Sequence, residues 1–279
     1  MFVNMRQPRE TPSRMPFNQI CQVHAARRPN PSHTELVIEG FDGAAEARPG
    51  QFAMLRPDPP GDLLLGRPMS IHSVERLGGG GTRMRFWIKI VGHGTRMLAA
   101  LERGQRLRVV GPFGRPFEPI GPEQPWLVAG GIGVTPLHFW ASELCASGVR
   151  PRFLYAARSS SDLVALDDLQ RLSMDLFVAT DDGSTGERGY ASDVLARRLE
   201  SGAQGPVFTC GPEVMMKSVA AVCRKHSLPC SASLENIMGC GFGVCLGCVV
   251  WRRADGQSEA QPVRVCTEGT LFSTEELGW

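Results

Sequence analysis

The sequence predicts an α+β multidomain chain with three parts: an N-terminal antiparallel β-barrel, a parallel α/β domain and a small C-terminal cysteine module. Three observations carry this. Short apolar segments punctuated by Gly, Pro and Asp fill residues 17–120. Apolar runs then alternate with helical patterns across 124–230. The remainder, 231–279, is glycine-rich and holds four of the nine cysteines.

The chain's 279 residues, 42% of them hydrophobic, suffice for two modest cores. A net charge of +2 makes no electrostatic case for nucleic acid or an anionic membrane. Residues 1–16, MFVNMRQPRETPSRMP, hold three Arg and three Pro and read as a disordered arm. No apolar h-region follows, and no run of about 18 apolar residues occurs anywhere, so neither a secretory signal nor a membrane span is expected. The default is a soluble, cytoplasmic protein.

In the barrel region, HTELVIEGF, QFAMLR, MSIHSV, RMRFWIKIV and RLRVVGPFG read as strands, with RLGGGGT as a flexible hairpin tip. After EPIGPEQP the rhythm changes. WLVA, RFLYAA, DLFVAT and PVFTC read as strands between helices. Leu137, Trp140 and Leu144 follow i, i+3, i+7 spacing, and Gly148 ends that helix. Ser192 is the expected cap of DVLARRLE, with Gly202 after it, and Pro212 opens EVMMKSVAAVCRKH. This alternation means βαβ units and a parallel sheet.

Cys240, Cys245 and Cys248 form C-x4-C-x2-C, and Cys266 follows after 17 further residues. That is the plant-type [2Fe–2S] spacing. Gly239, Gly241, Gly243 and Gly247 let a loop wrap a cluster and turn N–H groups toward its sulfurs. A structural zinc would favour two short-spaced cysteine pairs; here three cysteines crowd together and the fourth stands alone. Cys21, Cys145, Cys210, Cys223 and Cys230 are scattered and read as buried thiols of a reducing compartment.

Two segments of the barrel suit phosphate. Arg67, Pro68, Met69 and Ser70 end a β segment; the arginine fork can pair with pyrophosphate and the serine hydroxyl with a flavin edge. Alone, this tetrapeptide fits a surface turn better. It gains force from WIKIVGHGTRML, where Trp87, Ile88 and Lys89 lead to Gly94 and Thr95 at a helix start, an anion site by backbone amides and hydroxyl. Together they suggest a dinucleotide such as FAD. In the α/β region, LVAGGIGVTPL runs from a strand through Gly130, Gly131 and Gly133 to Thr135 and Pro136. It is not G-x-G-x-x-G, yet small residues before a helix N-terminus serve the same purpose; a tight turn without ligand is the alternative. Cys210, Gly211 and Pro212 form a second such turn at a later strand end. The histidines show no paired spacing, and the carboxylates are dispersed.

In this order the motifs, with TDDGSTGERGY and RVCTEGTLF, resemble the electron-transfer subunits of the class 1B dihydroorotate dehydrogenases, within the ferredoxin–NADP reductase superfamily. The resemblance covers nearly all of 17–279, and the cysteine cluster with VCTEGTLF is its specific part. It implies FAD at Arg67, Pro68, Met69, Ser70, Trp87, Ile88, Lys89, Gly94 and Thr95. It implies NAD(H) at Gly130, Gly131, Gly133, Thr135, Pro136 and Cys210 to Pro212, and a [2Fe–2S] cluster on Cys240, Cys245, Cys248 and Cys266. It further implies an FMN-containing catalytic partner that oxidises dihydroorotate to orotate in pyrimidine biosynthesis, two of each subunit assembling. Met69 stands where the family more commonly has a branched apolar residue, and the N-terminal arm is longer than expected.

A hydride carrier moves two electrons and a cluster one, so a flavin between them is a physical requirement. No general base for substrate chemistry is evident, and a substrate barrel of about 250 residues has no room here. Two rivals stand beside this reading: an NAD(P)H reductase serving ferredoxin or an oxygenase, and a zinc-stapled binding protein without redox function. Arg158 and Ser159 offer a 2′-phosphate site that would favour NADP; the resemblance favours NAD.

Overall fold

The computed structural model describes residues 16–118, 123–253, 257 and 259–279. The expected arm at 1–16 lies outside them, apart from Pro16. The barrel is built from β1 (Phe17–Asn30), β2 (His33–Glu39), β3 (Phe52–Asp58), β4 (Arg67–Ser70), β5 (Ser73–Arg76), β6 (Thr82–Lys89) and β7 (Arg106–Phe113), with α1 (His93–Ala99) between the last two. Their pairings are antiparallel in the order β4-β3-β7-β1-β2-β6-β5. The two edge strands, β4 and β5, are joined through Ile71 and His72, so the sheet curls into a half-barrel. The glycine tip links β5 to β6, with Gly79 and Gly80 at positive φ.

The second region contains β8 (Trp126–Gly130), α2 (Val134–Ala146), β9 (Arg152–Ala157), α3 (Leu166–Gln170), β10 (Asp175–Thr180), β11 (Glu187–Arg188), α4 (Ala191–Glu200), β12 (Val207–Cys210), α5 (Glu213–Lys225) and β13 (Cys230–Ser233). The chain ends with β14 (Val249–Arg252), β15 (Gln261–Arg264), α6 (Val265–Glu268) and β16 (Leu271–Ser273). The sheet order is β11-β10-β9-β8-β12-β13-β16, parallel except for β16. The chain lays down β8, builds outward through β9 to β11, then returns to the other side of β8. Open α/β sheets take ligands at such a reversal, outside the strand C-termini.

Local expectations shift in three places. α4 begins at Ala191 after Tyr190, so Ser192 lies inside the first turn and does not cap. Pro212 is the extended residue just before α5. The expected boundary at 230 falls at the start of β13, which pairs parallel with β12 and belongs to the sheet. CSAS is too short and polar to announce a strand; the open edge of β12 makes it one.

The three parts share their cores. Phe139 of α2 packs into the barrel core, while Trp87 and Phe117 reach into the α/β core. Phe52, Met54 and Phe113 of the barrel join Met216, Ala232, Met238, Cys248, Cys266 and Phe272 in a further cluster. Burying a side chain of this size is worth about 1.5–3 kcal/mol, so the seams are held by the same forces as each interior. Among the described residues no helix is long and apolar enough to cross a membrane.

Candidate functional site

The clustered cysteines converge in two pairs. The Cys245 thiol lies close enough to that of Cys240 to shift its acidity, as does the Cys248 thiol to that of Cys266. Cys266 arrives through α6, docked by the Val265 N–H donating to the Cys248 carbonyl at 3.1 Å. The β14–β15 hairpin takes up the intervening sequence. Among the described residues, no three His, Cys, Asp or Glu side chains gather around one ion position. Two thiol pairs suit a two-iron cluster, where each iron takes two thiolates; a structural zinc needs four ligands on one centre.

Burial pushes the Cys240 thiol up, but the N–H groups of Cys245, Phe242 and Val244, with the Cys245 thiol, outweigh it and bring it to about 6. Cys266 is pushed up to about 12 by burial and by neighbouring Cys248. N–H donors converging on sulfur are what a thiolate-holding loop supplies. Gly241 and Gly243 sit at φ +85° and +88°, where other residues are strained. Gly239 serves differently: a Cβ there would stand 3.2 Å from Cys245 Sγ. Cys245 is exposed, and Ile237, Phe242, Val244 and Leu246 around it are exposed too, forming an apolar collar.

The two barrel motifs come together. The Arg67 guanidinium lies across Gly94, where a Cβ would meet Nε at 2.4 Å, and its Nη1 donates to the Leu65 carbonyl at 2.9 Å. Pro68, Met69 and Ser70 are half-buried along β4, beside this arginine. Other expected residues are already engaged. Trp87 and Ile88 are buried in the cores, Trp87 beneath Arg27 at 5.3 Å with its Nε1 left without a hydrogen-bond partner among the described residues. Thr95 Oγ1 accepts from the Val91 and Gly92 N–H groups at 2.9 and 3.0 Å and donates back to the Gly92 carbonyl. It closes its own turn. Of the residues expected at a flavin nucleotide, Arg67 to Ser70 and Lys89 are the half-buried ones.

The two α/β motifs also meet, at the strand reversal. Cys210 pairs in register with Ala129, so the turns after β8 and β12 lie side by side. A Cβ on Gly133 would stand 2.2 Å from the Cys210 carbonyl oxygen, and one on Gly211 would stand 2.9 Å from Gly130 Cα. These glycines serve the contact between the turns. Gly131 faces open space. Thr135 Oγ1 is buried without a hydrogen-bond partner among the described residues, and an orphaned hydroxyl at a turn fits a ligand group. Arg158 is engaged by Asp162 at 3.1 Å, and Ser159 by Ser161 at 2.9 Å.

Glu235, just past β13, escaped the sequence reading. Burial pushes its carboxyl above the usual carboxylate range despite the pull of Lys89. The residue nevertheless keeps an exposed surface, so the effect comes from the atoms crowded around its carboxyl and not from a sealed core. Its charge, after burial itself, helps push the Cys210 thiol up, against a hydrogen bond from Ser233. Only a position after a short strand end, facing Lys89 and Cys210 from distant segments, marks it.

A half-barrel sharing its seam with a switch-point sheet, and a four-cysteine loop on both, define an electron-transfer reductase of the ferredoxin–NADP reductase fold. Residues 127–221 match the oxidoreductase NAD-binding domain, and residues 235–278 match the iron–sulfur cluster binding domain of dihydroorotate dehydrogenase B. The dihydroorotate dehydrogenase B (NAD+) electron transfer subunit of Desulforamulus reducens is 33% identical over 250 residues, 89% of this chain and 94% of its own length. The subunit of the same name from Listeria monocytogenes is 32% identical over 249 residues, 87% and 92% of the two chains. A solved NADH-dependent reduced ferredoxin-NADP oxidoreductase superposes with a TM-score of 0.80 at 27% identity, covering 92% of this chain and 88% of its own. The ferredoxin reductase in carbazole 1,9a-dioxygenase, at 21% identity and a TM-score of 0.66 over 78% of this chain and 68% of its own, shares the fold. The chain belongs to the family of dihydroorotate dehydrogenase B (NAD+) electron transfer subunits.

Proposed function

We propose that this chain passes electrons between an FMN-containing dihydroorotate dehydrogenase catalytic subunit and NAD+, carrying a [2Fe–2S] cluster and FAD of its own. The observation that carries the reading is the pairing of Cys240 with Cys245 and Cys248 with Cys266, in a loop packed against the barrel that bears Arg67 and the sheet that bears Gly131. When bound, the flavin and the cluster supply the exchange between two-electron and one-electron chemistry.

The chain's residues hold and separate these groups. Cys240, Cys245, Cys248 and Cys266 would hold the irons as thiolates, with the N–H groups of Phe242, Val244 and Cys245 offsetting the charge on Cys240. Arg67, seated on Gly94, would hold the pyrophosphate with its guanidinium, and Ser70 the ring edge with its hydroxyl. Gly131, Thr135, Gly211 and Pro212 border the nicotinamide nucleotide. Asp181 and Asp182 follow β10 and oppose a 2′-phosphate, while Arg158 is occupied by Asp162; NAD is preferred on that ground. The flavin domain takes 17–120, the nucleotide domain 124–230 with β13 and β16 completing its sheet, and the cluster module the remainder of 231–279. The apolar collar around Cys245 is the docking face for the catalytic subunit, two of each assembling. The five cysteines outside the cluster, none in a disulfide, fit a reducing cytoplasm.

Co-expression with the catalytic subunit tests this. The expected complex is yellow-brown, contains FAD, FMN and about two irons per chain of this protein, and reduces NAD+ with dihydroorotate. A colourless zinc protein, or a chain that stays alone and reduces ferredoxin, would overturn the reading.

A further inference from the structure

We propose that His72 and His138 form an interdomain pin that sets the spacing of the two dinucleotide-binding segments, making both positioning residues for hydride transfer. This inference rests on the function proposed above. The histidine rings stack with centroids 4.0 Å apart and planes 16° from parallel. His72 belongs to the β4–β5 corner, two residues after Ser70; His138 belongs to α2, two residues after Pro136. The stack therefore joins the end of the Arg67–Ser70 segment to the start of the helix that follows the Gly131 turn.

The stack is one rung of a polar ladder across the seam. His138 Nδ1–H donates to the His72 carbonyl at 3.1 Å. His72 Nε2–H donates to Asp168 Oδ2 at 3.1 Å. The same carboxylate oxygen accepts from Arg85 Nη2 at 2.9 Å, and Arg85 Nε donates to Glu35 at 2.8 Å. Glu35, Arg85 and His72 belong to the barrel, Asp168 and His138 to the α/β domain. His72 is fully buried and His138 nearly so.

Such a ladder adds register more than stability. Apolar side chains of the same shape would hold a buried seam as well, and Phe139 already does so one residue away. His72 Nδ1 has no partner among the described residues, while the ladder's other directional bonds form together in a single relative placement of the two domains. The His72 N–H donates to the Arg85 carbonyl at 3.0 Å, so the corner is tied to the sheet and carries Ser70 with it. Hydride transfer moves two electrons and one proton from NADH to the flavin and leaves NAD+. It depends steeply on the distance between the rings, and a displacement of about 1 Å can cost on the order of a hundredfold.

The test uses the full chain with its cofactors and the variants His138→Ala, His138→Gln and Asp168→Asn. Flavin reduction by NADH is followed in anaerobic stopped flow, NADH affinity by titration, and domain coupling by amide hydrogen exchange. H138A is expected to slow reduction about tenfold or more, with flavin content and NADH affinity near wild type. H138Q, whose amide can donate to the His72 carbonyl, is expected to recover most of the rate. Exchange should rise at 71–73 and 134–140 in H138A and stay unchanged in β1. D168N, which removes the anion orienting His72 and alters little shape, should slow reduction even if H138A fails to fold. Wild-type reduction rates in H138A and D168N would overturn the pin, as would equal slowing in H138A and H138Q. A wild-type chain that NADH does not reduce would instead overturn the underlying functional reading.

Discussion

Gly133 and Cys210 are in backbone contact: a Cβ on the glycine would stand 2.2 Å from the cysteine's carbonyl oxygen. The turns after β8 and β12 close on each other there, and the obstacle is main chain, which cannot rotate away. Gly133→Ala is therefore expected to destabilise the fold by several kcal/mol, in the range of severe core overpacking. Gly131→Ala, with φ +52° and open space around it, should cost about 1–2 kcal/mol of backbone strain. Chemical denaturation of the two variants measures the difference, and equal losses would contradict the packing argument.

Arg67 over Gly94 yields a different outcome, because the obstacle is a flexible side chain. Gly94→Ala must push the guanidinium off its seat, where Nε lies 2.4 Å from the added methyl. Stability should change by no more than about 1 kcal/mol. Flavin retained per chain after gel filtration, read by absorbance, should fall. Full flavin content in this variant would remove Arg67 from the pyrophosphate role.

Cys245 is the exposed member of its thiol pair, partnered by Cys240. Cys245→Ala leaves the Gly131 and Arg67 regions untouched. Reduction of a dye by NADH is expected to stay within about twofold of wild type, while transfer to or from the catalytic subunit drops by orders of magnitude, as removal of a required carrier ligand demands. Iron analysis and coupled assays measure both, and full coupling in the variant would refute the ligand assignment.

His72 makes stability depend on acidity in a stated direction. Burial lowers its pKa from 6.5 to about 4, with Arg85 of β6 and His138 of α2 acting the same way and Asp168 of α3 opposing them. Between those values the unfolded chain takes up a proton that the folded chain refuses. Stability therefore falls as pH falls through that window, by up to roughly 3 kcal/mol, and is flat in this group above about pH 6.5. His138, likewise lowered by burial, adds in the same sense. The Asp168 carboxyl, held well below its ordinary range against its own burial by His72 and Arg85, titrates outside the window. Urea unfolding of wild type and His72→Gln at about pH 7 and about pH 5 should show a smaller loss in the variant.

Much of the architecture is legible residue by residue. The strands HTELVIEGF, QFAMLR, RMRFWIKIV and RLRVVGPFG, the glycine hairpin and the βαβ alternation appear where local pattern puts them, whereas MSIHSV, expected as one strand, is broken at Ile71 and His72 into the end of β4 and the start of β5. β1 is harder, because the second half of its fourteen residues has no buried position and no large apolar side chain. The cysteine spacing announces a cluster, while the pairing of Cys248 with Cys266 becomes visible only when α6 folds back. Trp87 and Thr95 sit inside site-like motifs, yet their side chains serve the seam and a local turn. Glu235, His72 and His138 carry no local signal.

The sequence by itself determined most of the strands, the turns and the ligand spacing, because these depend on backbone geometry and neighbours a few residues apart. Tertiary structure alone decided which glycines face protein and which face open space, and which polar side chains meet across the seam. The His138 and Asp168 bonds to His72 span 66 and 96 residues. Contacts over such separations form only when whole sheets dock, driven by apolar burial that is blind to direction, and the directional bonds then select one arrangement.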